Sequence, residues 1–325
     1  MTLASPLGKL RFRRGLLSWY DAQKRDLPWR RTRDPYRVWL SEIMLQQTRV
    51  SVVIEYYRRF LDRFPTVRKL AAAREPSVLA AWSGLGYYRR ARMLHRAAKL
   101  IARNGGNFPS TAAELWQLPG IGRYTAAAIA SIAFNEPIAV VDGNVERVLE
   151  RIAGRQLAAA QAWRDAQSLL HRGRPGDFNQ AMMELGATVC APRNPNCRLC
   201  PVRAFCSSRG ELIRAAGTSR QRKCEIAYEL RRRSGSVFLV RRSPAASLMP
   251  GMWEIPQCAL SSAAEDLLTL RHSITNTAYV VRVKRGSVGK RASGKWVPTS
   301  QLEVLPLTGL ARKILRAAGI TDPES

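Results

Sequence analysis

Two carboxylic acids in this chain sit in surroundings suited to opposite chemical work. Glu42 lies in Ser41-Glu42-Ile43-Met44-Leu45-Gln46-Gln47-Thr48, on an amphipathic helical stretch whose Val38, Glu42 and Leu45 share one face. A carboxyl among apolar side chains has a raised pKa, so it can keep a proton and act as an acid. Asp142 lies in Val140-Val141-Asp142-Gly143-Asn144-Val145, at the start of a helix whose dipole stabilises an anion. Two carboxyls held in opposite states can divide the acid and anion roles of one reaction. Taken alone, each has a plainer reading: Glu42 as a surface or ion-paired glutamate, Asp142 as an ordinary N-cap.

Between them lies Leu118-Pro119-Gly120-Ile121-Gly122. Two glycines two apart between helices let the backbone approach another molecule closely. The N–H groups at the start of the following helix, from Arg123, suit a phosphate. The helix before it has its own start signal, a Thr111-x-x-Glu114 capping box after Pro109. A phosphate clamp followed by one fixed acid points to chemistry on a nucleic acid.

A third group is Cys190, Cys197, Cys200 and Cys206, spaced C-x6-C-x2-C-x5-C. Four cysteines within seventeen residues imply a metal site, and thiolate sulfur suits zinc or an iron–sulfur cluster. Cys224 and Cys258 lie outside the spacing and read as plain thiols.

The elements that must position these groups fall into two registers. Residues 8–205 read mostly helical, for example Tyr36–Gln47, Val78–Trp82, Ala91–Ala102 and Thr125–Phe134. From about Ala227 short β-like runs take over: Tyr228–Arg231, Val237–Arg241 and Tyr279–Val283. Ser207–Lys223 between them reads as a basic linker. From Arg193 to Lys223 eight basic residues face one acid, Glu211, so the stretch could track a phosphate backbone. The whole chain of 325 residues carries a net charge of +29, which attracts polyanions, nucleic acid before acidic membrane. No apolar run is long enough to span a bilayer, and Met1–Arg14 lacks the apolar core of a signal peptide. The expected location is the cytoplasm, associated with the nucleoid.

These segments, with Leu27-Pro28-Trp29-Arg30, Gly84-Leu85-Gly86-Tyr87-Tyr88, Asn179-Gln180-Ala181-Met182-Met183-Glu184-Leu185-Gly186-Ala187 and the cysteine quartet, make the chain resemble the MutY family of adenine DNA glycosylases. The resemblance runs from about residue 8 to 318 and is most specific over 26–206. The cysteine spacing resembles the cluster loop of the endonuclease III group, which implies one [4Fe–4S] cluster that orders a loop presenting Arg193, Arg198 and Arg203 to DNA. The implied fold is a mainly α helix–hairpin–helix glycosylase of two helical lobes with an iron–sulfur loop, plus a C-terminal α+β Nudix-like domain. The implied domains are a helical catalytic region 1–206 (a six-helix lobe with the hairpin over about 26–134, an iron–sulfur lobe from about 1–25 and 135–206), a linker 207–224, and a lesion-recognition domain 225–325.

The resemblance also implies roles. Glu42 would protonate a flipped adenine at N7, and Asp142 would stabilise the oxocarbenium-like sugar. Asn144 and Tyr124 would position these groups. Arg30, Trp29 and Glu184 would hold the adenine pocket. Gln47 and Tyr87 or Tyr88 would fill the gap left in the base stack. Leu118, Gly120 and Gly122 would hold a phosphate. Related glycosylase/lyases carry a Schiff-base lysine where this chain has Tyr124, so a monofunctional enzyme is expected. The implied partner is duplex DNA bearing adenine opposite 8-oxoguanine or guanine, bound by a monomer, with no membrane.

Gly251-Met252-Trp253-Glu254-Ile255-Pro256 fits the Nudix-like domain. The acid-rich metal helix of true Nudix hydrolases is missing after it, which argues against pyrophosphatase activity. Where the family has Phe-Ser-His, this chain reads Ile274-Thr275-Asn276, so weaker lesion discrimination is expected. Two other functions compete: a glycosylase for another mismatched base such as thymine, and a non-catalytic damage-binding protein. Thymine has no purine N7 for Glu42 to protonate, and a mere binder has no use for the Glu42–Asp142 pair.

Overall fold

Pro35 pre-sets the backbone of a first helical turn, and Asp34 before it accepts from the Tyr36 and Arg37 N–H groups at 2.8 and 3.3 Å. The helix so started carries Glu42. In the computed structural model, which describes residues 3, 5–212, 222–274, 276–286 and 293–321, such local signals open a long helical series. It comprises α1 (Pro6–Gln23), α2 (Pro35–Leu45), α3 (Val50–Arg63), α4 (Val67–Ala72), α5 (Glu75–Ala81), α6 (Arg89–Arg103), α7 (Ala112–Leu115), α8 (Arg123–Ala133), α9 (Gly143–Ala153), α10 (Ala159–Leu169) and α11 (Pro175–Thr188). After it come β1 (Arg222–Leu230), β2 (Arg232–Arg233), β3 (Ser236–Arg241), β4 (Trp253–Glu254), β5 (Gln257–Cys258), β6 (Asp266–Ile274), β7 (Thr277–Arg285), β8 (Lys295–Pro298) and α12 (Gly309–Ala317). No helix of the described residues is long and apolar enough to cross a membrane.

The chain forms two compact units. One gathers Met1–Tyr57, Thr66–Arg68 and Arg96–Ala216; the other gathers Arg58–Pro65, Lys69–His95 and Gly217–Ser325. In the first, α1, α9, α10 and α11 enclose a core of Phe12, Leu16, Tyr20, Val148, Leu149, Ala162, Phe178 and Leu185. Each large apolar side chain buried this way contributes roughly 1.5–3 kcal/mol. Val202 from the cysteine loop joins the same core, so the loop is folded down onto the helices. α8 packs on α2, and its buried Ala126, Ala127, Ala128 and Ala130 are small enough to bring the two helices close. The Thr111–Glu114 capping box is formed at α7.

In the second unit one sheet has the order β5-β1-β7-β6. β1 runs parallel to β7 from Arg222↔Thr277 to Leu230↔Arg285, and β6 and β7 form an antiparallel hairpin. The other sheet joins β2, β3 and β4, with β8 on β3. α12 lays Leu310, Ile314 and Leu315 against Val237, Leu239, Val281 and Val283 in the core of this unit. β1 begins at Arg222, inside the stretch read as linker. Its polar start extends because β7 offers a backbone partner at each position. β6 and β8 carry no strong sequence pattern, and tertiary pairing defines them; α12 has its own local signals, a Thr308 N-cap and apolar Leu310, Ile314 and Leu315 at helical spacing, which the sequence reading passed over.

Of the three positions expected to read the lesion, Ile274 ends β6, where it pairs with Thr277, and Asn276 lies just before β7. Asn276 is exposed, and its carbonyl accepts from the Arg222 N–H at 3.0 Å. Thr275 lies outside the described residues, as does the side chain of Ile274.

Candidate active site

A cavity of about 550 Å³ in the helical unit brings together Trp29, Arg30, Glu42, Gln47, Tyr124, Asp142, Asn144 and Glu184. All eight are residues that the sequence singled out, drawn from α2 and the segments on either side of it, α8, α9 with its N-cap, and α11. Leu118, Gly120, Gly122 and the four cysteines do not line it.

Glu42 is buried at 6% exposure on α2. The Tyr124 hydroxyl donates to its Oε2 at 2.8 Å and lies 3.3 Å from the Met183 sulfur. Burial pushes the Glu42 carboxyl up to about 7. The Tyr124 bond pulls against that rise, the Asp142 charge adds to it, and the Arg30 charge reduces it. Tyr124 is itself held well above its usual value, by burial first and then by the charges of Glu42 and Asp142. It therefore stays a neutral donor.

Asp142 caps α9. Its Oδ1 accepts from the Val145 N–H at 2.8 Å, and its Oδ2 accepts from the Asn144 side-chain amide at 2.9 Å. Asn144 Oδ1 accepts from Arg147 at 2.9 Å. Because arginine only donates, this contact orients the amide, turning its NH₂ toward Asp142. Arg147 also donates to the carbonyls of Gly186 at 2.8 Å and Cys190 at 2.9 Å. Gly186 lets α11 come this close: a Cβ there would lie 2.6 Å from the Asn144 Cβ and 2.9 Å from its carbonyl.

Glu184 forms the far wall. It is 1% exposed and accepts from the Arg25 N–H at 3.1 Å, Arg25 Nε at 2.8 Å, Arg25 Nη2 at 2.7 Å and Arg30 Nη2 at 2.8 Å. Burial alone would raise its carboxyl, but the two guanidiniums outweigh burial and hold it at about 2. Trp29 is buried and packs edge-on to Tyr57 at 5.5 Å.

Sequence reasoning missed Arg25, Met183, Arg147 and Arg151. Arg147 had a local signal, three residues after Asn144 and so on its helix face. Arg25 had none, because its partner is 159 residues away.

The hairpin turns at Gly120, at φ +77°, and Gly122 is the N-cap of α8. Both glycines are exposed, as is Arg123, whose guanidinium lies 3.9 Å from the Trp163 ring. Of the paired tyrosines, Tyr87 is 48% exposed and Tyr88 only 3%. Tyr88 is thus unable to enter a base stack, a correction to its reading as a possible plug. Gln47 and Tyr87 both adopt left-handed backbone, at φ +55° and +47°, a strain that costs about 1–3 kcal/mol and gathers at functional positions.

The four cysteines cluster beyond α11, with Arg193, Arg198 and Arg203 exposed around them. Arg151, buried on α9, donates to the Cys190 sulfur at 3.3 Å and to the carbonyls of Cys190, Ala191 and Pro192. The Arg209 N–H reaches the Cys206 sulfur at 3.4 Å. Burial pushes Cys200 up to about 11; a Val202 N–H bond opposes this, and the charges of Cys190, Cys206 and Cys197 add to it. The four thiols are near enough for the other three to act on Cys200, and N–H donors reach Cys190, Cys200 and Cys206. Among the described residues no three His, Cys, Asp or Glu side chains close tightly enough to hold a single metal ion.

Residues 40–166 match the HhH-GPD superfamily base excision DNA repair protein family. The chain is 41% identical over 314 residues to an adenine DNA glycosylase of Arabidopsis thaliana, covering 81% of this chain and 50% of that one. It is 33% identical over 318 residues to an adenine DNA glycosylase of Schizosaccharomyces pombe, covering 76% of this chain and 69% of that one. The chain therefore spans half the length of the plant relative. Among solved structures, a thermostable thymine-DNA glycosylase superposes with a TM-score of 0.59 at 30% identity, covering 62% of this chain and 97% of that one. With a helical frame that seats a buried glutamate against a tyrosine and faces it with a capped aspartate, and with relatives aligned along most of its length, the chain belongs to the adenine DNA glycosylase family.

Proposed function

We propose that this chain removes adenine mispaired with 8-oxoguanine or guanine in duplex DNA by hydrolysing the N-glycosidic bond. The observation that carries the reading is the buried Glu42 carboxyl, poised at about 7 in a nucleoside-sized cavity beside Asp142. Protonated Glu42 gives its proton to adenine N7, so the base leaves neutral as the bond from C1′ to N9 breaks. The positive charge that develops at the sugar is stabilised by the Asp142 carboxylate, oriented by Asn144 and the Val145 N–H. Water adds to C1′, and its surplus proton returns to Glu42. Arg30 and Glu184 close the pocket around the base. Tyr124 offers a phenol where a Schiff base needs an amine, so no lyase step follows.

Cys190, Cys197, Cys200 and Cys206 would hold one [4Fe–4S] cluster; all-sulfur ligation with N–H donors at the sulfurs suits it. The cluster supplies no step of base release and orders the loop that bears Arg193, Arg198 and Arg203. Duplex DNA is the partner, the protein acts as a monomer, and its place is the nucleoid.

The test is single-turnover base release from duplexes bearing adenine opposite 8-oxoguanine, adenine opposite guanine, thymine opposite guanine, and adenine opposite thymine. The expected order has the first two fast, adenine opposite 8-oxoguanine ahead, and the last two silent. Release of thymine with adenine retained would overturn the reading. Elemental analysis should find about four irons per chain.

A further inference from the structure

Resting on the proposed glycosylase function and on the expectation that exposed Tyr87 fills the gap in the base stack, we propose that the segment Pro306–Arg312 is the seat of the Tyr87 turn. Ser83, Tyr88 and Arg312 are then positioning residues that hold this tyrosine out toward DNA. All of these residues belong to the second unit.

The turn is built to present one ring. Gly84, Gly86 and Tyr87 all take positive φ, at 107°, 74° and 47°. Trp82 Nε1 donates to the Gly86 carbonyl at 3.1 Å, and Arg90 Nη2 reaches the carbonyls of Leu85 and Gly86 at 3.3 Å. The Arg90 guanidinium lies 5.4 Å from both the Trp82 and the Tyr87 ring. A non-glycine residue at positive φ persists only where its surroundings over-determine it. These local contacts shape the turn but do not anchor it.

Two hydroxyls flanking the turn share one acceptor, the Leu307 carbonyl. The hydroxyl of Ser83, 2% exposed, donates to the Leu307 carbonyl at 2.7 Å. The hydroxyl of Tyr88 donates to that same oxygen at 3.0 Å and accepts from the Gly84 N–H at 3.3 Å. Arg312 Nε then donates to the Ser83 oxygen at 2.5 Å. Residues 83 and 88 bracket the turn, and both end on one acceptor more than 200 residues away in sequence. That acceptor is itself fixed. Leu307 bridges Trp253 of β4; the Trp253 N–H donates to the Pro306 carbonyl, and the Thr308 N–H to the Trp253 carbonyl, each at 2.9 Å. A second fastening joins the Arg92 guanidinium, which pairs with Glu75 at 3.0 Å, to the carbonyl of Pro250. Trp253 of the Gly251–Pro256 motif thereby holds the Leu307 carbonyl in place under the Tyr87 turn. The α/β portion has a task in base extrusion apart from any reading of the opposing base by residues 274–276.

The test uses the full chain. Arg312→Met removes the charge-assisted donor to Ser83, and Arg312→Lys keeps a positive donor. Extrusion is read by the fluorescence of 2-aminopurine in place of the target adenine, and base release is followed under single-turnover conditions. Arg312→Met should lower both by about tenfold, the scale of one charge-assisted hydrogen bond. Arg312→Lys should recover part of the loss. In a Tyr87→Ala background, Arg312→Met should cost nothing further. An equal loss in the Tyr87→Ala background would overturn the proposal. A ¹⁹F spectrum of 3-fluorotyrosine protein, with Tyr87 assigned by Tyr87→Phe, reports the turn without any substrate. An unchanged Tyr87 resonance in Arg312→Met would defeat the seating claim. Absence of adenine release by the wild-type protein would defeat only the proposed function.

Discussion

Glu42 and Glu184 are both buried glutamates on helices that line one cavity, yet their carboxyls stand at about 7 and about 2. Desolvation raises both. Their donors differ. Glu42 receives one hydrogen bond from a neutral phenol, with the charge of Asp142 opposing its ionisation. Glu184 receives four N–H groups from two guanidinium residues. Burial alone thus does not assign a role to a carboxyl. The number and charge of its donors decide whether it carries a proton to be given away or remains an anchored anion.

The largest effect should come from removing the acid. Glu42→Gln is expected to slow single-turnover adenine release by about 100- to 10,000-fold while duplex binding persists. Asp142→Asn should lose as much or more, through charge stabilisation at the sugar. Wild-type rates in either variant would remove that residue from the mechanism.

Glu184→Gln breaks the other half of the comparison. It strands the guanidiniums of Arg25 and Arg30, and should lower stability by on the order of 2–3 kcal/mol, less than a fully buried pair because Arg25 is 39% exposed. The folded value of Glu184 lies below its ordinary 4.5, so its contribution is present above that value and is lost as pH falls through about 2. Denaturant midpoints at pH 7 and pH 3 should therefore show a smaller deficit at the lower pH. Equal deficits would mean that packing, not charge, holds this wall.

The raised value of Glu42 has the opposite sign. Excision should fall as pH rises through about 7, because only the protonated form can serve as acid. Stability shares this direction: it is full below the ordinary 4.5 and is lost as pH rises through about 7. Glu42→Gln should accordingly be the more stable protein at pH 8, by about 3 kcal/mol. A thermal midpoint at or below the wild-type value at pH 8 would contradict the assignment.

The smallest effect sharpens the donor argument. Tyr124→Phe removes the one hydrogen bond that favours the Glu42 anion. The alkaline limb of the rate profile should then move up by about one pH unit or less. A downward move would mean that the phenol stabilises the protonated acid.

Some of this was legible in the chain itself. Val38, Glu42 and Leu45 on one helix face announced a carboxyl among apolar groups, and the raised value of Glu42 agrees. The Asp142 cap and the Thr111–Glu114 box depend on residues three apart, and both are formed as expected. β6 and β8 were not legible, because their residues extend only where β7 and β3 offer partners. Nor was the choice between Tyr87 and Tyr88. The two are chemically identical and adjacent, and a carbonyl 219 residues beyond Tyr88 buries one and leaves the other exposed.

By itself the sequence determined the short-range facts: which helices start where, four thiols within one short stretch, and two carboxyls near helix landmarks. Those rest on covalent spacing and on interactions within a turn or two of helix. Only the tertiary structure decided that Glu184 is an anchored anion rather than a second acid, that Arg147 holds Asn144 to the carbonyls of Gly186 and Cys190, and that Leu307 seats the Tyr87 turn. In each case the deciding group lies tens to hundreds of residues away. Electrostatics and hydrogen bonding act over a few ångströms of space, whatever the distance along the chain.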